Sequence, residues 1–299
     1  MSNSAKKRVC IFGEVLFDHF PDGQAVLGGA PFNVAWHLQA LKQSPYLISR
    51  VGQDEDGGRV RSAMEQWGMD TAGLQSDPQR ATGQVRVSII DGEPRYDIVE
   101  DCAYDAIEPP GLENCDFLYH GSLAARCDKS ADTLLQLRDN APKMVFVDAN
   151  LRQPWWRRER LEELLQGAHW IKLNGDELAE LQGGNSKDAA QDFFARFKLQ
   201  GLILTHGADG AEIFLADGYH ARVESASNIE VVDTVGAGDG FASIMVLGLL
   251  EGWSMALTLQ RAQVFAERIV ARRGATIAEP QFYQKFREDW GLAGTAEST

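Results

Sequence analysis

The sequence predicts an α/β fold with a doubly wound, mainly parallel sheet flanked by helices and a small β-sheet lid. Short apolar runs recur along the chain, each ends in glycine or polar residues, and helical segments lie between them. Repeated strand, loop and helix units form parallel sheets whose ligand sites lie at the carboxyl ends of the strands. Hydrophobic residues make up 44% of the chain and charged residues 24%, as in ordinary globular proteins. We expect a single domain over residues 1–299, with lid strands near 14–21 and 84–100.

The charge balance excludes two classes of partner. The chain carries 43 acidic and 29 basic residues, a net charge of -14, and has no long basic run. Nucleic acids and anionic membranes would be repelled, so neither is an expected partner. No segment reaches the roughly 18 apolar residues that cross a bilayer. Its cysteines form no C-x-x-C pair and its first residues are polar, so we expect a cytoplasmic protein with free thiols.

The first strands lead to candidate ligand residues. Residues 8–12 form an apolar run that ends at Gly13, and residues 14–20 alternate loosely until the turn signal at 21–23. Asp18 would lie where this region ends. On this segment alone, a turn or capping role for Asp18 is favoured over a ligand role.

A glycine pair, Gly28-Gly29, precedes Pro31 and an amphipathic helix that runs to Leu41. Asn33 falls in the first turn of that helix. Its amide could bind the hydroxyls of a ligand resting over the glycines, or it could make a helix-start hydrogen bond. The adjacent glycines favour the ligand.

The remaining segments complete the sheet and add the lid. A strand at 46–51 is followed by an acidic loop at 52–58, predicted to be solvated and metal-free, and by a helix at 59–67. Residues 84–90 and 95–99 predict a hairpin around Asp91-Gly92, which could pair with the strand near 16–20. Further strands are predicted at 117–120, 144–147, 170–174 and 202–205, and the tail at 294–299 is expected to fray.

The stretch Gly236-Ala237-Gly238-Asp239 suggests phosphoryl transfer. Glycines let the backbone approach an anion, and the helix that follows can point its first amides at that anion. Asp239 would face the same spot and could take a proton from a substrate hydroxyl. The chain contains no Gly-Lys-Ser or Gly-Lys-Thr of a Walker loop and no early dinucleotide fingerprint.

Asn174 and Glu177 lie one helical turn apart. They could hold a hydrated magnesium ion, which prefers few protein ligands and several waters. An ordinary helix-capping pair explains the same two residues equally well.

Six motifs make the chain resemble the ribokinase-like sugar kinases, the PfkB group. In the family's order they are Gly28-Gly29-Ala30-Pro31-Phe32-Asn33, Gly52-x-Asp54-x-x-Gly57, Asp148-x-Asn150-x-Arg152, Asn174-x-x-Glu177, Thr205-x-Gly207-x-x-Gly210 and Asp233-Thr234-x-Gly236-Ala237-Gly238-Asp239. Six motifs in order, over nearly the whole chain, are far more specific than any one of them.

The resemblance implies a main α/β domain with a β-sheet lid, magnesium ATP as the donor and a sugar hydroxyl as the acceptor. Asp239 looks like the catalytic base, and the amides of Gly236, Ala237 and Gly238 look like the anion hole. Arg152 would add a cation near the phosphoryl group or the sugar. The other implied positions are Asp18, Gly28, Gly29 and Asn33 for the sugar, Asn174, Thr205, Gly207, Gly210, Gln263 and Gly274 for the nucleotide, and Glu177 for magnesium through water. Some members hold a potassium ion near the position of Asp233, which stays open here.

The motifs around Asp18, Asn33 and Arg152 resemble the fructokinase branch most, which implies fructose phosphorylated at O6. Arg95 on the lid hairpin, with Arg152, could instead meet a carboxylate, as in 2-keto-3-deoxygluconate kinases, although a solvated Arg95 is narrowly favoured. Ser243-Ile244 stands where the family usually has a small pair. This departure leaves a non-catalytic sugar- or nucleotide-binding regulator as the alternative from another class. A homodimer through the lid is also open.

Overall fold

The computed structural model describes residues 7–90, 93–112, 114–140, 142–226 and 230–292. Within them, a nine-stranded sheet has the strand order β13-β12-β11-β10-β9-β8-β1-β4-β5, and a four-stranded sheet has the order β3-β2-β6-β7. The strands of the main sheet are β1 (Val9–Phe12), β4 (Tyr46–Gly52), β5 (Leu74–Asp77), β8 (Phe117–His120), β9 (Met144–Asp148), β10 (Trp170–Asn174), β11 (Gly201–Thr205), β12 (Ala211–Leu215) and β13 (His220–Val223).

The four-stranded sheet, called the lid sheet below, comprises β2 (Leu16–His19), β3 (Ala25–Gly28), β6 (Gly83–Ile90) and β7 (Glu93–Ile98). Strand β2 pairs with β3 in antiparallel and with β6 in parallel register, so the hairpin and the early strand form one small sheet, as predicted. The turn at Asp91-Gly92 and the tail at 294–299 lie outside the described residues, as do Asn228 and Ile229.

Helices cover both faces of the main sheet. They are α1 (Ala30–Ala40), α2 (Glu55–Gln66), α3 (Asp128–Asp139), α4 (Arg158–Leu165), α5 (Gly175–Gln182), α6 (Lys187–Phe197), α7 (Ala237–Glu251), α8 (Met255–Val270) and α9 (Pro280–Asp289). Alternation along β9 illustrates the two layers: Phe146 packs into the core with α1, α7 and α8, whereas Val145 and Val147 pack into the core with α5 and α6. The predicted α/β class with a mainly parallel sheet is confirmed.

Two local features differ from the sequence predictions. Helix α2 begins at Glu55, four residues earlier than predicted, because the Asp54 carboxylate accepts a hydrogen bond from Gly57 N at 2.8 Å and caps the helix. The acidic loop is therefore a helix start. Strands β3, β5, β12 and β13 were not predicted, since short strands that pair with distant or later segments carry little local signal.

None of the helices in the described ranges is long and apolar enough to span a membrane.

Gly29 fixes the start of α1. Its φ is 110°, and an added Cβ would lie 2.6 Å from the carbonyl oxygen of Glu14. Neighbouring Gly28 has room, since its added Cβ would meet only Asp18 Oδ2 at 3.8 Å. The two adjacent glycines therefore differ in what they tolerate.

We expect Gly29→Ala to lower the free energy of unfolding by about 2 kcal/mol or more, because it adds both backbone strain and overlap. Gly28→Ala is the matched control and should change the stability by less than about 1 kcal/mol. Urea unfolding of the two variants measures this difference. Equal losses would contradict the assigned role of Gly29.

Candidate active site

The first turns of α1 and α7 meet at one hydrogen bond. The Asn33 amide nitrogen donates to Asp239 Oδ2 at 2.7 Å, across 206 positions of sequence. Asn33 is only 4% exposed, and its amide oxygen is buried without a partner among the described residues. That oxygen can accept a hydrogen bond from a bound hydroxyl.

Helix α7 begins directly after Gly236, whose backbone conformation and close packing only glycine tolerates. Gly236 has a φ of 80°, and a Cβ there would overlap Ala275. Gly238 is exposed, whereas Gly236 and Ala237 are half-buried. The first amides of this 15-residue helix have no intrahelical partner and lie at its positive end, so the loop 236–238 suits a phosphate-like anion.

Asp239 lies in the first turn of α7 beside that loop. Burial raises the pKa of its carboxyl to about 6. The hydrogen bond from Asn33 opposes this rise, the charge of Asp148 adds to it, and the charges of Lys172 and Arg152 oppose it. A carboxylate with a pKa near neutrality is a stronger proton acceptor than an ordinary one while remaining mostly ionised at pH 7.

Two further carboxyls lie on the side of the lid sheet. Asp18, on β2, lies next to Gly28, and burial raises its pKa to about 6 against the charges of Arg152 and His19. Glu14 is 3% exposed, and burial together with the charge of Asp239 raises its pKa to about 7. One Glu14 carboxyl oxygen has no hydrogen-bond partner among the described residues. The exposed Arg152 is the cation that acts on all three carboxyls.

Asn174 and Thr205 end adjacent strands, β10 and β11, as register partners. The Asn174 carboxamide accepts from Glu177 N at 2.8 Å, and Glu177 Oε2 accepts from Asn174 N at 2.8 Å, so the two form a reciprocal cap on α5. Glu177 Oε1 also accepts from Leu151 N at 2.8 Å. Glu177 therefore fixes the segment that carries Arg152, and each of its oxygens keeps lone pairs for a metal-bound water. Its role in binding magnesium remains a prediction.

The remaining predicted nucleotide residues lie on three segments. Gly207 and Gly210 both have positive φ in the turn after β11, and a Cβ on Gly210 would overlap Val223. Gly274 N donates to Asp233 Oδ2 at 3.0 Å, which ties the loop after α8 to the residues before α7. Gln263 is buried on α8 and donates to Glu267 at 2.9 Å. Their nucleotide contacts stay predictions.

Arg95, the remaining predicted ligand residue, lies on the lid sheet. Arg95 is exposed on β7, and no hydrogen bond or ion pair joins it to a side chain that the structure describes. The departure at Ser243-Ile244 is accommodated, since both residues are fully buried and the Ser243 hydroxyl donates to Gly240 O at 2.6 Å within α7.

Sequence reasoning assigned no role to Glu14 or Lys172. A lysine inside the apolar strand 170–174, and a glutamate directly after the glycine that ends β1, are the signals that could have identified them. Both are buried beside Asp239, and Lys172 binds Asp148.

Comparisons with known proteins identify relatives over most of the chain. Residues 7–281 match the model of the pfkB family carbohydrate kinases. The fructokinase of Escherichia coli is 28% identical over 262 residues, which cover 81% of this chain and 84% of the relative. A probable fructokinase-2 of Arabidopsis thaliana is 25% identical over 284 residues, covering 85% of each.

Solved structures of sugar kinases share the fold. An uncharacterized sugar kinase from Pyrococcus horikoshii gives a TM-score of 0.82 at 24% identity, covering 96% of this chain and all 100% of that chain. A fructokinase from Vibrio cholerae O395, with fructose, ADP and a calcium ion bound, gives a TM-score of 0.79 at 22% identity. The match covers 94% of this chain and 99% of the fructokinase chain. The fold is thus that of sugar kinases. Since the family match spans most of its length, the chain belongs to the pfkB family of carbohydrate kinases.

The raised carboxyl pKa values predict how stability depends on pH. Glu14, Asp18 and Asp239 bind protons more tightly in the folded state than in the unfolded chain, where such pKa values lie near 4. Their contribution to the free energy of unfolding therefore falls as the pH rises through about 4 to 7. We expect Asp239→Asn to stabilise the protein by about 1 to 2 kcal/mol at pH 8 and much less at pH 4.

Urea unfolding at the two pH values measures this dependence. The control is Asp22→Asn, which removes an exposed carboxylate but keeps the side-chain oxygen that accepts from Gln24 N. It should leave the pH dependence unchanged. A gain in Asp239→Asn that is the same at pH 4 and pH 8 would show that the Asp239 carboxyl is not perturbed.

Proposed function

We propose that the protein transfers the γ-phosphoryl group of ATP to a sugar hydroxyl, and that the acceptor is fructose, phosphorylated at O6. The observation that carries this proposal is the position of Asp239, beside the amide loop 236–238 and hydrogen-bonded to Asn33 at 2.7 Å. One carboxylate next to an anion site is the arrangement that phosphoryl transfer requires.

In the proposed reaction, the acceptor hydroxyl gives its proton to the Asp239 carboxylate as its oxygen forms a bond to the γ-phosphorus. The bond from that phosphorus to the ADP oxygen breaks, and ADP leaves with the electron pair. The amides at the start of α7 and the Arg152 guanidinium stabilise the charge spread over the phosphoryl oxygens. Magnesium, when bound, would neutralise charge on the nucleotide phosphates, with Glu177 holding one of its waters.

The charges of the acceptor side favour a neutral sugar. Glu14, Asp18 and Asp239 lie on this side, and Arg152 is the cation whose charge acts on all three. Carboxyl groups bind hydroxyls well, but they repel a second carboxylate. This supports fructose over 2-keto-3-deoxygluconate, in agreement with the relatives named fructokinase.

The proposed location of the protein is the cytoplasm, where ATP is available and the four free cysteines stay reduced. A homodimer through the exposed strand β7 of the lid sheet, and a potassium ion near Asp233, complete the proposal.

ADP release on a panel of hexoses, ketoses and sugar acids tests the activity. We expect turnover with fructose and a loss of about 10³-fold in kcat for Asp239→Asn, since general base catalysis is worth that much. Asp22→Asn should keep its activity. If wild type melts at a higher temperature with sugar but releases no ADP, the chain is a binding regulator instead.

Acceptor choice is tested by comparing kcat/KM for fructose and for 2-keto-3-deoxygluconate. We expect fructose to be preferred by at least about tenfold, because a carboxylate meets the three carboxyls. Arg95→Ala should change neither value by more than about twofold, as exposed side chains without partners contribute little. Preference for the sugar acid, with its KM raised in Arg95→Ala, would establish the alternative acceptor.

Magnesium dependence tests Glu177. We expect Glu177→Gln to raise the Mg²⁺ concentration needed for half-maximal activity by about tenfold. Glu180→Gln, on the same helix and exposed, is the matched control. If Glu177→Gln lowers the melting temperature and leaves the Mg²⁺ dependence unchanged, Glu177 serves solely to cap α5 and to bind the backbone amide of Leu151.

A further inference from the structure

A row of polar side chains crosses the face of the main sheet that packs against α1, α7 and α8. Tyr119, Asp148 and Lys172 lie on the adjacent strands β8, β9 and β10, and Lys172 is the register partner of Asp148. Their strand neighbours on the same face, Phe146 and Trp170, belong to the core that α1, α7 and α8 cover. A charged pair therefore lies in a mainly apolar layer.

The Lys172 ammonium is held as a buried cation. Lys172 is 7% exposed, and its Nζ donates to both carboxylate oxygens of Asp148 at 2.9 Å. Tyr119 OH donates to Asp148 Oδ2 at 3.1 Å. Burial alone would lower the pKa of Lys172, but the charge of Asp148 outweighs it and the pKa is raised.

The Lys172 ammonium lies against the loop 236–238. Lys172 Nζ is 3.6 Å from the position that a Cβ on Gly238 would occupy. Two of its three N–H groups bind Asp148, and none of the other described residues takes the third. Burying an ion pair costs solvation energy that the pair only partly returns, so its presence beside a functional loop needs an explanation.

We propose that the third N–H of Lys172 binds an oxygen of the transferring phosphoryl group, so that this anion site comprises the amides at 236–238 and one buried cation. Asp148 is then the positioning residue that holds the ammonium. The proposal rests on the kinase function proposed above. Arg152 would lie on the exposed side of the phosphoryl group, and Lys172 on the buried side.

Lys172→Met, which keeps the length and removes the charge, is the main test. We expect kcat to fall by about 10² to 10³-fold, the usual loss of a preorganised donor to a transition state, with the KM for sugar within about threefold of wild type. Tyr119→Phe is the matched control in the same buried row. It leaves the ammonium in place, so its kcat should stay within about threefold of wild type.

Amine rescue separates a direct role from a structural one. Lys172→Ala should regain activity with added methylammonium chloride, which supplies N–H donors, and not with tetramethylammonium chloride. The proposal is wrong if the wild-type protein is active and Lys172→Met has a similar kcat. It is also wrong if Lys172→Met and Tyr119→Phe show an equal fall in kcat.

A binding measurement distinguishes this failure from failure of the kinase proposal. Inorganic phosphate should raise the melting temperature of wild type and Tyr119→Phe, and should raise that of Lys172→Met much less, whether or not any sugar is turned over. An equal rise in all three proteins would overturn the role of Lys172. Inactivity of wild type on the whole sugar panel would overturn the kinase function alone.

Discussion

The hydrogen bond from Asn33 to Asp239 is the constraint on which the site depends. It joins the first turns of α1 and α7, which are 206 residues apart in sequence, and sets the position of the proposed base relative to both. Each turn is possible only because a glycine precedes it in a positive-φ conformation, Gly29 for α1 and Gly236 for α7. The glycines thus act indirectly, by allowing two helix starts to approach one another.

Electrostatics divide the site into two sides. Glu14, Asp18 and Asp239 concentrate carboxyl groups where an acceptor with several hydroxyls would lie, and burial raises the pKa of each. The amide loop and Lys172 concentrate positive charge where a phosphoryl group would lie. Carboxyl groups therefore lie on one side and N–H donors on the other before any ligand binds, which is the preorganisation that catalysis by positioning requires.

Sequence predicted the parts of the site that are local. A glycine loop followed by a helix, or an asparagine in a first helical turn, can be recognised within ten residues, and both are where the sequence placed them. Lys172 could not be assigned, because its proposed role follows from the register of β9 and β10 and from the approach of Gly238, which are separated in sequence. Strands β12 and β13 were missed for a similar reason, since their pairing is fixed by neighbours. Glu177 illustrates an ambiguity that one sequence cannot resolve, because a capping residue and a holder of metal-bound water use the same carboxylate.

The most direct test of the central claim is a crystal structure of the protein with fructose, ADP, magnesium and aluminium fluoride, which mimics the transferring phosphoryl group. We expect the fructose O6 within hydrogen-bond distance of the Asp239 carboxylate, about 2.6 to 3.2 Å, and the fluoroaluminate on the amides of residues 236–238. A complex in which the anion binds this loop while no sugar hydroxyl reaches Asp239 would contradict its assignment as the base.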